Sequence, residues 1–253
     1  MIQKWEKEGI LVRIVSKTDV GLARRSNQDA YATGELPGGV AWAVVCDGMG
    51  GANGGNVASA LAVKTISEQI SSTYREGMSS NSVRTMLESA ITAANVAVYD
   101  LSRQTEDLAG MGTTVVACVV VDGVAHISHV GDSRAYRFSS ERIEQITRDH
   151  SYVQRLIEDG RLTAEEAKRY PHRNIITRAL GVEERLLVDY NEVSLEKEDA
   201  ILICTDGLSG LVEEEEMLEV FRQASFYEYP DRLVRLANGK GGSDNVTVVI
   251  LSW

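Results

Sequence analysis

Two apolar runs that each end in an Asp-Gly pair place the strongest constraint on this fold. The run AWAVVC leads into Asp47-Gly48, and the run AILICT leads into Asp206-Gly207. A single Asp-Gly pair is usually a turn, but a repeated pattern of strand and Asp-Gly puts carboxylates where strands leave the core. A third acidic loop, GGSDN with Asp244, precedes the apolar run VTVVIL. Three carboxylates at strand ends indicate a site for a hard cation.

The predicted hairpins bring distant acids to one end of a sheet. Apolar and β-branched residues predict strands at residues 10–17, 30–34 and 40–46, with a turn around residues 35–39. Because the last two strands would form a hairpin, Asp29 before one and Asp47 after the other should lie at the same end. Asp206 and Asp244 also converge if the strands that they flank pair antiparallel.

A second hairpin is predicted from TTVVACVVV and VAHISHV, which an Asp-Gly pair at 122–123 joins. It places the loop 110–112 beside the loop 131–134. Because a short polar loop between strands must satisfy its own backbone groups, a structural role is expected for Asp132, Ser133 and Arg134.

Helices are predicted between the strands, at residues 54–70, 82–101, two short segments within 150–169 interrupted near Gly160, 213–224 and 230–238. The clearest repeats apolar residues at three- and four-residue spacing from 82 to 101, with Ser80, Asn81 or Ser82 as its N-cap. Three prolines and the lack of repeats or low-complexity segments favour one compact unit. Strands mixed with paired helices fit a two-sheet core covered by helices.

Charge and composition narrow the class of partner. The formal charge of −11, from 26 basic and 37 acidic residues, disfavours binding to nucleic acid or to an anionic membrane. No stretch approaches the roughly 20 apolar residues of a membrane span, and the start, MIQKWEKEGI, lacks the apolar core of a signal peptide. We therefore expect a cytoplasmic protein without membrane insertion. No CxxC spacing is present, and buried free thiols are expected for Cys46, Cys118 and Cys204.

Oxygen donors at the strand ends favour magnesium or manganese. Asp47, the carbonyl of Gly48, Asp206 and Asp244 suit two such ions that share Asp47. Zinc is disfavoured by the histidines, which show no paired metal-ligand spacing and are interpreted as surface or core residues: His126, His129, His150 and His172. Two hard cations about 4 Å apart lower the pKa of a bridging water and stabilise charge on a phosphoryl group, so hydrolysis needs no protein nucleophile.

Six motifs resemble, in order, those of the metal-dependent protein phosphatases of type 2C (PPM), most closely the bacterial serine/threonine phosphatases. They are Arg24 with Asn27-Gln28-Asp29, Asp47-Gly48-Met49-Gly50-Gly51, Gly110-Met111-Gly112-Thr113-Thr114, Val130-Gly131-Asp132-Ser133-Arg134, Thr205-Asp206-Gly207 and Asp244-Asn245-Val246-Thr247. The resemblance covers the chain from about Ser16 to Leu251. It implies an α+β, four-layer αββα fold, in which pairs of α-helices flank a central β-sandwich of two mainly antiparallel sheets. It also implies a single catalytic domain over residues 1–253, with a flap insertion at about 149–185.

The same resemblance implies roles for the acids. Asp47 resembles the carboxylate that bridges both metals, Gly48 the carbonyl ligand, and Asp206 and Asp244 ligands of the first metal. Asp29 resembles the acid that holds metal-bound water in the outer shell.

Asp107 lies three residues before the GMGTT loop, where bacterial members place a ligand of a third, weaker metal, which Asp206 would share. Without the resemblance, Asp107 reads as an ordinary surface acid. Arg24 matches the phosphate-binding arginine, and a guanidinium fork suits two phosphate oxygens. Arg25 is the alternative, although the spacing to Asp29 favours Arg24.

The flap-like region holds candidate substrate contacts or, alternatively, a solvated polar face: His150, Arg173, Asn174 and Arg178. One position departs from the family pattern. Some members have a histidine directly after the first Asp-Gly pair as a candidate general acid, and Met49 stands there in this chain. Delivery of a proton to the leaving alkoxide would then pass to metal-bound water, such as water on the third ion.

The resemblance implies hydrolysis of phosphoserine and phosphothreonine on proteins by a water that bridges two Mn²⁺ or Mg²⁺ ions, with a third ion at Asp107. It also implies that the enzyme reverses a bacterial serine/threonine kinase, and we expect a monomer. A noncatalytic pseudophosphatase that binds phosphoproteins is one alternative, but it would usually lack a ligand and every core position is filled. A regulatory-switch phosphatase of the anti-sigma pathway type is another, usually attached to a sensory or membrane segment that this sequence lacks.

Overall fold

The structure is a computed structural model that describes residues 12–253, apart from the side chains of residues 51–53. In chain order its strands are β1 (Arg13–Asp19), β2 (Asp29–Leu36), β3 (Val40–Met49), β4 (Gly112–Thr113), β5 (Val115–Val121), β6 (Val124–Val130), β7 (Arg134–Phe138), β8 (Ile143–Gln145), β9 (Asp189–Ser194), β10 (Ala200–Cys204) and β11 (Val246–Ser252). The α-helices are α1 (Gly51–Thr73), α2 (Ser80–Gln104), α3 (Tyr152–Glu158), α4 (Ala164–Lys168), α5 (Asp206–Ser209), α6 (Glu214–Gln223) and α7 (Tyr229–Gly239). None of these helices has the length and apolar composition that crossing a membrane requires.

Two antiparallel sheets pack face to face. The first has the strand order β1-β11-β10-β7-β8, and the second has the order β2-β3-β5-β6-β9, with β4 paired to β3. Alternate residues of both sheets fill the space between them, among them Ala43 and Val45 from β3 and Ile203 and Val249 from the opposite sheet. This apolar layer fixes how the strand ends of the two sheets face each other.

Helices cover both outer faces of the sandwich. Ile66 of α1 and Leu87 of α2 belong to the apolar cluster that lies against the second sheet. Met217 of α6 and Leu233 of α7 belong to the cluster against the first sheet. The predicted α+β fold of four layers is therefore confirmed.

Helix α2 shows where the sequence pattern succeeds and where it misses. The residues that the three- and four-residue spacing assigned to its inner face are buried, including Val83, Leu87 and Ile91. The predicted N-cap is wrong by one residue, because Ser79 has the extended backbone of a cap and its Oγ accepts a hydrogen bond from the Ser82 N–H at 3.3 Å. Ser80 is already helical.

The first predicted hairpin is present with a shorter turn, because β2 continues to Leu36 and the turn is residues 37–39. β3 continues to Met49, so Asp47 lies within the strand rather than after it. The strand predicted at 10–17 is β1, and its first two predicted residues, Ile10 and Leu11, lie outside the described part of the chain.

The second hairpin and the β10–β11 pairing are also as predicted. Asp122 and Gly123 have φ values of 47° and 76°, the left-handed pair of a two-residue hairpin turn. β10 pairs antiparallel with β11, which places the end of one strand beside the start of the other. The acids that follow β10 and precede β11 therefore meet at the same end of the sandwich.

The three cysteines are free and buried, as the sequence predicted. Burial raises the pKa of the Cys118 thiol to about 12 and that of Cys204 to about 12. Because the thiolate is the reactive form, these thiols are inert core residues.

Candidate metal centre

Asp29 and Asp47 face each other across the first hairpin. They are direct partners in the β2–β3 register. Asp29 Oδ2 accepts hydrogen bonds from Thr205 Oγ1 at 2.9 Å and from Thr247 Oγ1 at 2.7 Å. Both threonines lie at strand ends of the opposite sheet, so Asp29 joins the two sheets at this end of the sandwich.

Asp206 lies beside that pair because α5 begins at this residue, directly after β10. The Thr205 N–H donates to the Thr247 carbonyl at 3.1 Å, and the Thr247 N–H donates to Thr205 Oγ1 at 3.0 Å, so the two segments stay joined up to the acid. A Cβ added at Gly207 would lie only 1.9 Å from the carbonyl oxygen of Asn245, so the close approach of the two backbones requires glycine. The second Asp-Gly pair is therefore a junction between strand and helix, not a turn.

Backbone contacts fix Asp47 and Gly48. The Asp47 N–H donates to Thr114 Oγ1 at 3.0 Å, and the Asp47 carbonyl accepts from the Thr114 N–H at 2.9 Å. Thr114 Oγ1 lies 2.7 Å from Ser133 Oγ, which agrees with the structural role expected of Ser133. A Cβ added at Gly48 would lie 2.0 Å from the carbonyl oxygen of Gly55, so this position also has no room for a side chain.

Asp244 completes the cluster from the turn before β11. Arg24 Nη2 donates to Asp244 Oδ2 at 2.7 Å, and 52% and 32% of the two side chains are exposed. Asn245 holds the loop that carries the arginine, because its Oδ1 accepts from the Gln28 N–H at 2.8 Å and its Nδ2 donates to two carbonyls of residues 20–28. We refer to the four carboxylates together as the acidic rim: Asp29, Asp47, Asp206 and Asp244.

The acidic rim has more negative than positive charge, because Arg24 pairs with Asp244 alone among its four carboxylates. Burial, together with the carboxylates of Asp206 and Asp29, raises the pKa of Asp47 well above its ordinary value. Burial also raises the pKa of Asp29 to about 7, against the opposing effect of its threonine hydrogen bonds. Asp29 Oδ1 and Asp206 Oδ1 are buried and find no hydrogen-bond partner within residues 12–253. Neighbouring carboxylates with unpaired oxygens repel one another unless cations bind to them. A donor set that consists only of oxygens fits a hard divalent ion.

Asp132 is a further acid at this end whose contribution the sequence reasoning missed. Burial and the carboxylate of Asp206 raise the pKa of Asp132 to about 7, and Asp132 raises that of Asp47 in turn. β6 ends at Val130, so Asp132 follows an apolar strand just as Asp206 does. The strand-end signal that marks Asp206 therefore also marks Asp132, and a purely structural interpretation of this residue is incomplete.

Asp107 makes none of the hydrogen bonds that join the acids of the rim to their surroundings. It is exposed in a single 3₁₀ turn, Glu106–Leu108, between α2 and β4. Within the described residues its carboxylate makes no hydrogen bond or ion pair. Met49 is half-buried and pairs with Gly112 of β4.

His150 and Arg178 are engaged inside the protein rather than presented to solvent. His150 Nδ1 accepts a hydrogen bond from the Gly131 N–H at 3.0 Å, so Nε2 carries the proton and faces Asp189 Oδ2 at 3.3 Å. Arg178 Nη1 donates to Asp189 Oδ1 at 2.6 Å. His129 is close enough to join a three-ligand group with His150 and Asp189. Because the protonated Nε2 cannot ligate and Arg178 already supplies positive charge, this group is a hydrogen-bonded network and not a zinc site.

The other two candidate contacts of this region, Arg173 and Asn174, are exposed in the turn after α4. The stretch that contains them is fastened at both ends. His150 ties its start to Gly131, and Leu180 near its end exchanges hydrogen bonds of 3.1 and 2.8 Å with Thr113 of β4. Both anchors adjoin the acid cluster, because Gly131 precedes Asp132 and Thr113 Oγ1 donates to the Asp47 carbonyl.

Comparison with known proteins identifies the family. Residues 23–244 match the family model described as protein phosphatase 2C. The serine/threonine phosphatase stp of Listeria monocytogenes is 36% identical over 236 residues, which cover 93% of each chain. The S. agalactiae serine/threonine phosphatase structure has a TM-score of 0.89 at 32% identity and covers 95% of this chain and 98% of its own. The catalytic domain of PstP in complex with two manganese ions has a TM-score of 0.84 at 33% identity, over 96% and 98% of the two chains. This chain therefore belongs to the protein phosphatase 2C family.

Proposed function

We propose that this protein is a metal-dependent phosphatase that hydrolyses phosphoserine and phosphothreonine in proteins at the acidic rim. One observation carries the proposal. Four carboxylates from four separate segments meet at one end of the sandwich, and two of their buried oxygens have no partner among the described residues. The serine/threonine phosphatases to which the chain is similar over nearly its whole length support the reaction.

Asp47, the Gly48 carbonyl, Asp206 and Asp244 would hold two Mn²⁺ or Mg²⁺ ions, with Asp47 between them. Asp29 would act from the outer shell. Such ions, when bound, polarise a phosphoryl group and lower the pKa of water. The two manganese ions in the PstP complex support manganese as one of the cations used.

The chain's own residues then orient the reactants. Asp29 has one oxygen fixed by two threonine hydroxyls, which leaves its other oxygen to orient a water at the rim. Arg24 lies at the solvent edge and gives one hydrogen bond to Asp244, so the rest of its guanidinium fork is available to phosphate oxygens. The substrate phosphate would thus be held by the Arg24 guanidinium and by the cations that the acidic rim would bind.

A third, weaker ion at Asp107 is part of this proposal. Asp107 is exposed and close in sequence to the loop 110–112, where a solvent-facing ion would be accessible. Met49 has no proton to donate to the leaving alkoxide, and Asp107 would hold the third ion, which when bound would make its water more acidic. We expect Asp107→Ala to reduce turnover at limiting manganese, and full activity under that condition would exclude the role.

We further infer a single catalytic domain over residues 1–253, with a flap at about 149–185. The protein would act as a cytoplasmic monomer opposite a serine/threonine kinase. Both sheets combine strands from the two halves of the described chain, which supports one domain. A pseudophosphatase would be expected to lose a ligand, and each proposed ligand position is filled.

The test is hydrolysis of a phosphothreonine peptide with added manganese, with chelator, and by Asp206→Ala. We expect turnover with manganese, and its loss under the other two conditions. Turnover that needs no metal, or that survives Asp206→Ala, would contradict the proposed function.

A further inference from the structure

An exposed apolar side chain, Val182, lies beside the acidic rim. β3 carries Asp47 and Met49 on one face, two residues or about 7 Å apart. A Cβ added at Gly112 would lie 2.8 Å from Cε of Met49 and 3.1 Å from Cγ2 of Val182. Because Gly112 has no side chain, these two apolar groups and the Leu180 carbonyl, 2.8 Å from the same point, pack closely over the buried glycine. We call Met49 and Val182 the apolar ledge.

A buried asparagine fixes the loop that carries Val182. Asn95 of α2 is 1% exposed, and its Oδ1 accepts from the Gly181 N–H at 2.8 Å. Its Nδ2 donates to the carbonyls of Glu183 at 2.9 Å and Glu184 at 3.2 Å. These hydrogen bonds bracket Val182, which itself remains 52% exposed. An isolated exposed valine needs no explanation, but one held this firmly at the edge of a proposed active site indicates a binding contact.

The ledge is also fixed relative to the bridging acid. Leu180, two residues before Val182, exchanges backbone hydrogen bonds of 3.1 and 2.8 Å with Thr113. Thr113 Oγ1 donates to the Asp47 carbonyl at 2.8 Å. One continuous set of hydrogen bonds therefore runs from the ledge to the strand that holds Asp47.

We propose that the apolar ledge contacts an apolar side chain one or two residues from the phosphorylated residue, and so sets a sequence preference among substrates. The inference rests on the proposed function, because it assumes that the phosphoryl group is held at the rim. Neighbours in an extended peptide follow at steps of roughly 3.5 Å, so one or two steps cover the distance between Asp47 and Met49. Partial burial of one such side chain corresponds to a preference of about three- to tenfold.

The experiment compares two phosphothreonine peptides that differ only in having leucine or serine on both sides of the phosphothreonine. The ratio of their kcat/KM values is measured for the wild type, for Val182→Ser and for Val96→Ser. Val96 is a matched control, a valine that is 47% exposed on the outside of α2. We expect the wild type and the control to prefer the leucine peptide by about three- to tenfold, mainly through KM, and Val182→Ser to lose most of that preference.

Equal kcat/KM for the two peptides in the wild type would overturn the inference, and so would an unchanged ratio in Val182→Ser. Hydrolysis of p-nitrophenyl phosphate, which has no flanking residues, separates this failure from a failure of the proposed function. If the wild type hydrolyses p-nitrophenyl phosphate without distinguishing the peptides, only the ledge is excluded. If the wild type hydrolyses neither p-nitrophenyl phosphate nor the two peptides with manganese present, the proposed function is wrong and the role of the apolar ledge is excluded as well.

Discussion

Each end of β10 has an acid with a buried carboxylate oxygen, and the two acids have opposite surroundings. Asp199, just before the strand, is 4% exposed, and its Oδ2 accepts hydrogen bonds from Arg137 Nε at 2.8 Å and Nη2 at 2.5 Å. The Glu196 N–H donates to the same oxygen at 2.9 Å. Asp206, just after the strand, has a buried oxygen without a partner among the described residues and lies among other carboxylates.

The difference distinguishes an acid whose burial contributes to the fold from an acid whose burial serves function. A buried acid paired with arginine and a backbone N–H is satisfied by the protein itself, so it needs no ligand. A buried acid among other acids is destabilising until a cation arrives. A folded protein retains such a cluster of acids when binding the cation is part of its function.

The largest effect on turnover is expected when a carboxylate of the acidic rim is removed. Asp47→Asn removes the carboxylate proposed to bind both ions, so we expect turnover of a phosphothreonine peptide to fall by about a thousandfold or more at moderate manganese. Steady-state assays over a manganese series measure this. Asp199→Asn is the matched control at the other end of β10, and it should retain turnover in the folded protein. Equal losses in both variants would remove the distinction between the two ends.

Removal of Asp199, the acid that is paired with Arg137, should instead reduce the stability of the fold. Asp199→Ala leaves Arg137 without its partner, and we expect the free energy of unfolding to fall by about 3 kcal/mol. Urea denaturation of the metal-free protein measures the change. Manganese affinity should remain at the wild-type value, and a loss of that affinity with little change in stability would reverse our assignment.

Substitution of Arg24 tests whether the solvent edge of the acidic rim binds the substrate phosphate. Arg24→Ala should raise KM for the phosphopeptide by about tenfold, because one charged hydrogen-bonding group to phosphate is lost, while manganese affinity changes little. Arg25→Ala provides the control, since this side chain is the neighbour that the spacing disfavours. A larger effect from Arg25→Ala would transfer the phosphate-binding role to that residue.

The smallest effect concerns the metal-free protein and pH. Because the pKa of Asp29 is raised to about 7 from an ordinary 3.8, the folded state holds a proton that the unfolded chain has lost between these values. The stability of the metal-free protein should therefore fall as pH rises through this range. Asp29→Asn should make that fall shallower and raise the melting temperature near neutral pH by a few degrees. Calorimetry in chelator measures both, and an unchanged slope would exclude Asp29 as a source.

The sequence predicted most of this rim because its signals are local. Apolar runs and Asp-Gly pairs define where strands end, and two hairpins then require Asp29 and Asp47 to meet. Asp132 follows a strand end as Asp206 does, but the rise of its pKa depends on Asp206, which is more than seventy residues away in the chain. The sequence left a core or surface role open for His150 and could not predict its partners, because Gly131 and Asp189 lie on separate strands or loops. Both cases turn on tertiary contacts that spacing along the chain does not encode.

The most direct test of the central claim is the shift in melting temperature that manganese causes in the metal-free protein. A ligand that binds only the folded state stabilises it by mass action, at about 2.7 kcal/mol when its concentration is a hundred times the dissociation constant. We predict that manganese raises the melting temperature of the wild type and of Asp199→Asn by similar amounts, and that Asp47→Asn shows little or no rise. A rise in Asp47→Asn equal to that of the wild type would contradict the account, because manganese would then bind somewhere other than the acidic rim.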